Sequence, residues 1–268
     1  EYVMISQINK PFSYLVTYSR FPTETNVYSK DGDFVSNLQK VPLIEELPKG
    51  FMSVRTGKRS FSWRPDKGAS LTYVTALDSG DPSKKVDFRD EVYELNYPFS
   101  GKGKFILKTI NRFSGIDWGT KDMAIAYDTW WNTRNRKSYV FNPSNPNIKP
   151  KIISDRNYQD TYSDPGNFLR SRNEFNRSVL KMHYGNIFLR GQGFSPSGQF
   201  PFIDKVNTKT FEKTRVYQSS YTDKIESIID YDPKKNQLTV SIESPSEYPN
   251  YYTKKVKSGK LEKLTNLK

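Results

Sequence analysis

The chain has 268 residues, 35% of them hydrophobic and 15% aromatic, and a formal net charge of +13. This is enough apolar material to bury a core, as one large all-β domain or two smaller ones. With no cysteine, disulfides, thiolate metal sites and a cysteine nucleophile are excluded, and with no stretch approaching 18 apolar residues, so is a membrane-spanning helix.

The 18 Tyr, 17 Phe and 4 Trp suit packed sheet faces. The positive field favours anionic partners. Its carriers are scattered, however, at Arg55, Lys58, Arg59, Lys84, Lys85, Arg134, Arg136, Lys254, Lys255 and Lys257. They form no compact basic run and no nucleic-acid motif, so no nucleic-acid partner is expected. Scattered charges of this kind suit solvated sheet edges, which they guard against edge-to-edge pairing. No basic-then-apolar leader is present.

In chain order, Tyr2–Ile5 is already strand-like. The segment PFSYLVTYSRFP at 11–22 is bracketed by prolines, and Tyr14-Leu-Val-Thr-Tyr18 within it reads as a strand, followed by Asn26–Tyr28 and a Lys30–Gly32 turn. Val41–Pro48 is a connector. Arg59–Trp63 reads as a strand that ends in the turn Arg64-Pro-Asp66-Lys67. Leu71–Val74 follows and leads through ALDSGDPSKKVDFRD to Val92-Tyr93. Within that loop, Asp78-Ser-Gly-Asp81 has carboxylates of the calcium type. An EF-hand needs more ligands and a distal Glu, so a short Asp-Gly turn is expected instead.

Arg112–Trp118 echoes the Trp63 segment 55 residues later. Ile125–Tyr127 leads through DTWWNTRNRK to Tyr139–Phe141. Paired tryptophans beside Arg134 and Arg136 can stack on a ligand or clamp a carboxylate; in the alternative, one Trp packs between sheets while the other covers a loop. Residues 158–173 form a polar interlude. Ile187–Leu189 leads through GQGFSPSGQ to Phe202–Val206 and a turn at Asn207–Lys209. The last cassette has strands at Leu238–Glu243 and Tyr251–Val256, a Ser258-Gly259 turn and a final strand.

The apolar strand thus recurs at about 14, 71, 125, 187 and 238. A period in the fifties with several short strands per unit is the mark of a β-propeller. The sequence therefore predicts an all-β propeller with about five four-stranded blades, at about 1–50, 51–103, 104–173, 174–223 and 224–268, and no helical layer.

Little in the chain carries chemistry. His183 is the sole histidine and cannot build a multi-histidine metal site. Around Ser195, GQGFSPSG fails the spacing of a nucleophile elbow, and Pro196 stands where a helix would start. There is no P-loop and no dinucleotide fingerprint. No cofactor, no metal and no catalytic residue is expected here. Carboxylates are plentiful, but no pair is marked out for glycoside hydrolysis.

Several strings resemble the propeller domain of prolyl-oligopeptidase-type serine peptidases, in particular the glutamyl endopeptidase-like branch. They include PFSYLVTYSRFP, Arg59 to Trp63, ALDSGDP at 76–82, Arg89-Asp90, Arg112-Phe to Trp118-Gly119 and Trp130-Trp131-Asn-Thr-Arg134. Further on come Asp155-Arg156, Tyr162–Gly166, GQGFSPSGQFPFID and Glu243–Tyr251, so that the likeness runs in order along nearly the whole chain. It implies a two-domain protein in which a seven- or eight-bladed propeller covers an α/β-hydrolase domain carrying Ser, Asp and His, expected after residue 268. The propeller would gate and select peptide substrates, and this chain alone would be inactive. An open set of blades predicts self-association. Cleavage after Glu needs a cation for the substrate carboxylate, a task suited to arginine. Arg20, Arg134 and Arg136, in loops that follow the recurring strand, are the substrate-binding candidates; structural ion pairing, or a cation from the hydrolase domain, is the alternative. The resemblance directs localisation towards an exported bacterial protein. The rival functions are a stand-alone propeller that binds an acidic protein or glycan, and a propeller hydrolase with carboxylates in its channel.

Overall fold

Short apolar runs punctuated by Gly, Pro, Asn and Asp turns fold into 24 strands and a single 3-10 turn in the computed structural model, which describes residues 1–268. The chain divides into two compact units, Glu1–Asp155 and Arg156–Lys268.

The first unit holds three antiparallel sheets. The first is β1 (Tyr2–Ile8), β2 (Thr23–Ser29) and β3 (Phe34–Val41). The second is β4 (Arg59–Trp63), β5 (Ser70–Ala76), β6 (Asp90–Asn96) and β7 (Lys104–Thr109), and the third is β8 (Arg112–Thr120), β9 (Met123–Trp130), β10 (Asn135–Phe141) and β11 (Lys151–Asn157), which runs just past the boundary between the units. In each sheet the strands pair in chain order. Period-two side-chain alternation explains how the sheets stack. Along β5, Leu71 and Tyr73 enter a cluster with Val27, Leu38, Tyr93, Leu95 and Phe99, while Val74 enters another with Val92, Leu107, Trp118 and Phe141. Both faces of the second sheet are therefore buried. Tyr73 lies opposite Tyr93 in register, and their rings stack at 5.2 Å.

The second unit opens with short strands: β12 (Asn167–Phe168), β13 (Arg170–Arg172), β14 (Ser178–Leu180) and β15 (Met182–His183). Then come β16 (Asn186–Gly191), β17 (Phe194–Ser195), β18 (Gly198–Gln199), β19 (Phe202–Asn207) and β20 (Lys213–Gln218). Strands β12, β16, β19 and β20 form one sheet, which β15 joins at β16, while β13–β14 and β17–β18 are small hairpins. A last four-stranded sheet is β21 (Ile225–Asp232), β22 (Gln237–Ser244), β23 (Glu247–Lys255) and β24 (Leu261–Lys263). Phe188, Ile203, Ile228, Tyr231, Leu238, Val240 and Ile242 form the core of this unit.

The fold is all-β, and its four-stranded antiparallel meanders are propeller blades. Two expectations need correction. Tyr14–Tyr18 is not a strand: the segment is a loop that ends in the 3-10 turn Tyr18–Arg20, with Tyr14 fully exposed. Prolines 11 and 22 bracket it and lack the amides a ladder uses, and the strands lie outside them, as β1 and β2. In the last sheet, β23 starts at Glu247 rather than Tyr251, so the expected polar loop shrinks to residues 245 and 246. Pro249 is accommodated because β24 pairs only with Tyr252–Lys254.

Candidate functional site

The β9–β10 hairpin carries the most unusual surface of the first unit. Trp130 pairs with Asn135, which leaves residues 131–134 as the turn. Arg134 closes that turn in the left-handed region, at φ 53°, with its amide on the Trp131 carbonyl at 3.1 Å. Its side chain folds back over the same residue: the guanidinium lies 3.8 Å from the Trp131 ring centre, and Nη1 donates to the Trp131 carbonyl at 2.9 Å. The Trp131 ring also meets Phe51 at 5.2 Å, and both rings face solvent. Two residues on, Arg136 lies 4.7 Å over Tyr127, whose hydroxyl donates to Asp117 at 2.8 Å.

Beneath the hairpin is a buried ionic network built from the ends of β4, β5, β6 and β8. Arg112 forks onto Asp78, with both bonds at 2.8 Å, reaches Asp90 at 3.2 Å, and donates through Nε to the Met52 carbonyl at 2.8 Å. Arg89 donates to Asp78 at 2.7 Å while its guanidinium lies 3.9 Å over Trp130. Arg59 pairs with Asp90. Burial works against the charge on Asp78, but the bonds from Arg112 and Arg89 outweigh it and hold the carboxyl below its ordinary range. Asp78 also accepts the Gly80 amide at 3.0 Å, so Asp78–Asp81 is a turn whose first carboxylate is taken up by two arginines. No three His, Cys, Asp or Glu side chains gather as metal ligands would.

Asp128, fully buried at the foot of the hairpin, accepts from the Tyr139 hydroxyl at 2.5 Å, from the Asn111 amide and side chain at 2.8 and 3.0 Å, and from the Lys137 amide at 3.3 Å. Burial pushes its carboxyl up, and these four donors only partly offset that.

The structure thus places Arg134 and Arg136 on one hairpin, each against an aromatic face and neither with a carboxylate partner. Arg20 ends the 3-10 turn in the loop between β1 and β2. Its carbonyl accepts the Ile44 amide at 2.9 Å, and its half-buried guanidinium also has no acidic partner. Of the two tryptophans, Trp130 is half-buried with Arg89 over its ring, while Trp131 is exposed. Sequence reasoning missed Phe51, because a lone Phe in a polar connector carries no periodic signal. Ser195 has no base beside it; its hydroxyl bonds Ser197 and the Gly198 carbonyl, both at 3.0 Å. His183 packs on Tyr184 at 4.2 Å.

No family model matches the chain. Among curated proteins, a probable chloroplastic glutamyl endopeptidase of Oryza sativa subsp. japonica is 35% identical over 268 residues, covering 94% of this chain and 29% of that protein. The likeness is to glutamyl endopeptidases. A second protein so described, from Arabidopsis thaliana, is 31% identical over 283 residues, covering 99% of this chain and 29% of its own length. The chain therefore spans under a third of these glutamyl endopeptidases. Two solved structures are also matched, at low similarity. The β-propeller domain of the Trilobed protease from Pyrococcus furiosus has a TM-score of 0.41 at 12% identity, covering 80% of this chain and 59% of that one. An oligogalacturonate lyase from Vibrio parahaemolyticus has a TM-score of 0.46 at 12% identity, covering 94% and 62%.

Proposed function

We propose that this chain serves as the propeller portion of a glutamyl endopeptidase-like serine peptidase, where it admits and orients peptide substrates while the bond is cleaved on another domain. The observation that carries this is the likeness to two glutamyl endopeptidases over nearly the whole chain, in a sequence with no nucleophile elbow of its own.

The β9–β10 hairpin suits the selecting role. Stacking on Trp131 and Tyr127 fixes the Arg134 and Arg136 guanidiniums in place and partly desolvates them, which strengthens their attraction for an incoming carboxylate. A free guanidinium without an acidic partner has its charge available to a ligand. Arg20 meets that condition as well. A carboxylate held by one arginine gains about 1.5–3 kcal/mol over a neutral amide, or roughly ten- to hundredfold in preference.

The test is to change Arg20, Arg134 and Arg136 to Ala in the intact enzyme and to compare kcat/KM for matched peptides with Glu or Gln before the cleaved bond. Loss of the Glu preference in one variant identifies the receiving arginine. A preference that survives all three changes removes this chain from carboxylate recognition.

A further inference from the structure

The first sheet has three strands where its neighbours in the same unit have four. The second sheet gives the pattern for placing the lacking strand, although in the third the longest connection, 142–150, joins β10 to β11. In the second sheet the long connection, residues 77–89, joins β5 to β6; in the first, residues 9–22 join β1 to β2. On the pattern of the second sheet, β1 occupies the place of β5, second in its sheet, and the vacant place is on its far side. Strands in that second place are buried elsewhere: β5, β9 and β16 are buried over most of their length, and β22 buries every second residue and exposes none. On β1, Val3 is 52% and Ile5 49% exposed.

The open edge can be read residue by residue. The Lys30 amide bonds the Glu1 carbonyl at 2.9 Å, and the Asn9 amide bonds the Pro22 carbonyl at 2.8 Å. The register between these two points is regular, with no bulge. Antiparallel pairing alternates, so the odd-numbered residues of β1 face β2. The amides and carbonyls of Tyr2, Met4, Ser6 and Ile8 therefore point away from the sheet.

An edge meant for water is normally blunted by charge, proline or a bulge. Several long outer strands here carry exposed charges: β3 has Lys40, β7 Lys104 and Lys108, and β11 Lys151 and Asp155. In the second unit, β20 carries Lys213 and Arg215, and β21 Asp230. Strand β1, YVMISQI, has no charge and no proline. It has the composition of an interior strand.

We propose that the β1 edge is a strand-acceptor site, filled by an extended segment of the same polypeptide on the N-terminal side of Glu1. The meanders identify that occupant. In the sheets of β5, β9 and β22, the strand in the corresponding place comes immediately before in the chain, across connections 64–69, 121–122 and 233–236. The incoming strand runs antiparallel to β1 and ends a few residues ahead of Tyr2. Its backbone meets the four outward amide–carbonyl sets and brings the sheet to four strands. The proposal rests on strand pairing and is independent of the peptidase reading.

Residue-resolved hydrogen exchange decides it, on residues 1–268 and on the natural polypeptide extended beyond Glu1. The expected result is that Val3, Ile5 and Gln7 are protected in both, while Tyr2, Met4, Ser6 and Ile8 exchange freely in the shorter chain and about a hundredfold or more slower in the longer one. Ser6→Pro removes an outward amide and the Ser6–Thr25 side-chain bond but spares the backbone bonds to β2, so in the longer chain it restores fast exchange at Met4 and Ile8; Gln7→Pro, which breaks a backbone bond to β2, disturbs both chains. Fast exchange of the four amides in both proteins overturns the proposal. So does slow, concentration-dependent exchange in the shorter chain, since a second copy then fills the edge, and so does a natural protein with no residues ahead of Glu1.

Discussion

Replacing Arg112 with Ala probes the network beneath the hairpin most directly. The side chain is buried, and it satisfies Asp78, Asp90 and the Met52 carbonyl together. Its loss leaves two buried carboxylates with one cation each, Arg89 and Arg59, and leaves a carbonyl without a donor. Breaking a buried pair from one side costs about 3–5 kcal/mol. In a unit of the size of Glu1–Asp155, each kcal/mol moves the midpoint by about 2–4 °C, so the transition of this unit should fall by roughly 6–20 °C in calorimetry at pH 7. Arg112→Lys keeps the charge but cannot reach all three acceptors, and should fall between Ala and the parent. The acid limb gives a second readout. The Asp78 carboxyl titrates below its ordinary 3.8 because the bonds from Arg112 and Arg89 outweigh the effect of burial. A depressed carboxylate adds stability that is complete above the unfolded value and is lost as pH falls through the lower folded value. Stability of the parent should therefore drop below about pH 4, and Arg112→Ala should flatten that drop. A midpoint change under about 2 °C with an unaltered acid limb would refute the assignment of the network as the support of this unit.

Gly80 sits at φ +78°, where an added Cβ would lie 1.8 Å from the Val54 carbonyl oxygen, whereas Gly32, at φ +93°, has open space around it. Gly80→Ala should cost at least about 2 kcal/mol more than Gly32→Ala in urea unfolding, because only the first adds a backbone clash to the strained conformation. Equal costs would mean the loop yields freely. In the second unit, Lys254 bonds Glu226 at 2.8 Å and the Tyr217 hydroxyl at 2.5 Å, with Glu226 1% exposed. Lys254→Met should destabilise by about 3–5 kcal/mol, and adding Glu226→Gln should recover most of that, because the buried charge goes with its partner. A double variant no better than the single one contradicts this account.

The sheets were legible in the sequence wherever short apolar runs met clear turn chemistry. Leu71–Val74, Ile125–Tyr127, Ile187–Leu189 and Leu238–Glu243 all fall within strands. The equivalence of Trp63 and Trp118 also holds, since each is near the end of the first strand of its sheet. Sequence and structure part at Tyr14–Tyr18, whose apolar composition suggests a strand where the segment between the flanking prolines is a loop. Composition reports what a segment could bury, whereas proline limits which backbone amides it can pair. The hairpin arginines were readable because they stand beside a Trp pair in sequence. Their surroundings were not: Phe51, Asp78 and Arg89 come from other elements, and sequence spacing holds no record of such meetings. The arginine–aspartate network was similarly hidden, since Arg112 and Asp78 are 34 positions apart.

These layers join at Trp130 and Trp131, adjacent residues with opposite tasks. Trp130 is held from below by Arg89, which is held by Asp78, which Arg112 anchors to the ends of β5 and β6. Trp131 faces outward and sets the height and tilt of Arg134 through the ring contact and the carbonyl bond. The half-buried guanidinium is therefore one stacked pair and one peptide bond away from a buried ionic network. Such an arrangement limits the rotamer entropy a long arginine would lose on meeting a ligand, because its planar group is already placed. The propeller-type scaffold allows this division: the strands bury their centres between sheets, and the hairpin ends remain free to present charge on a rigid base. Core and candidate site are in this sense built from the same contacts.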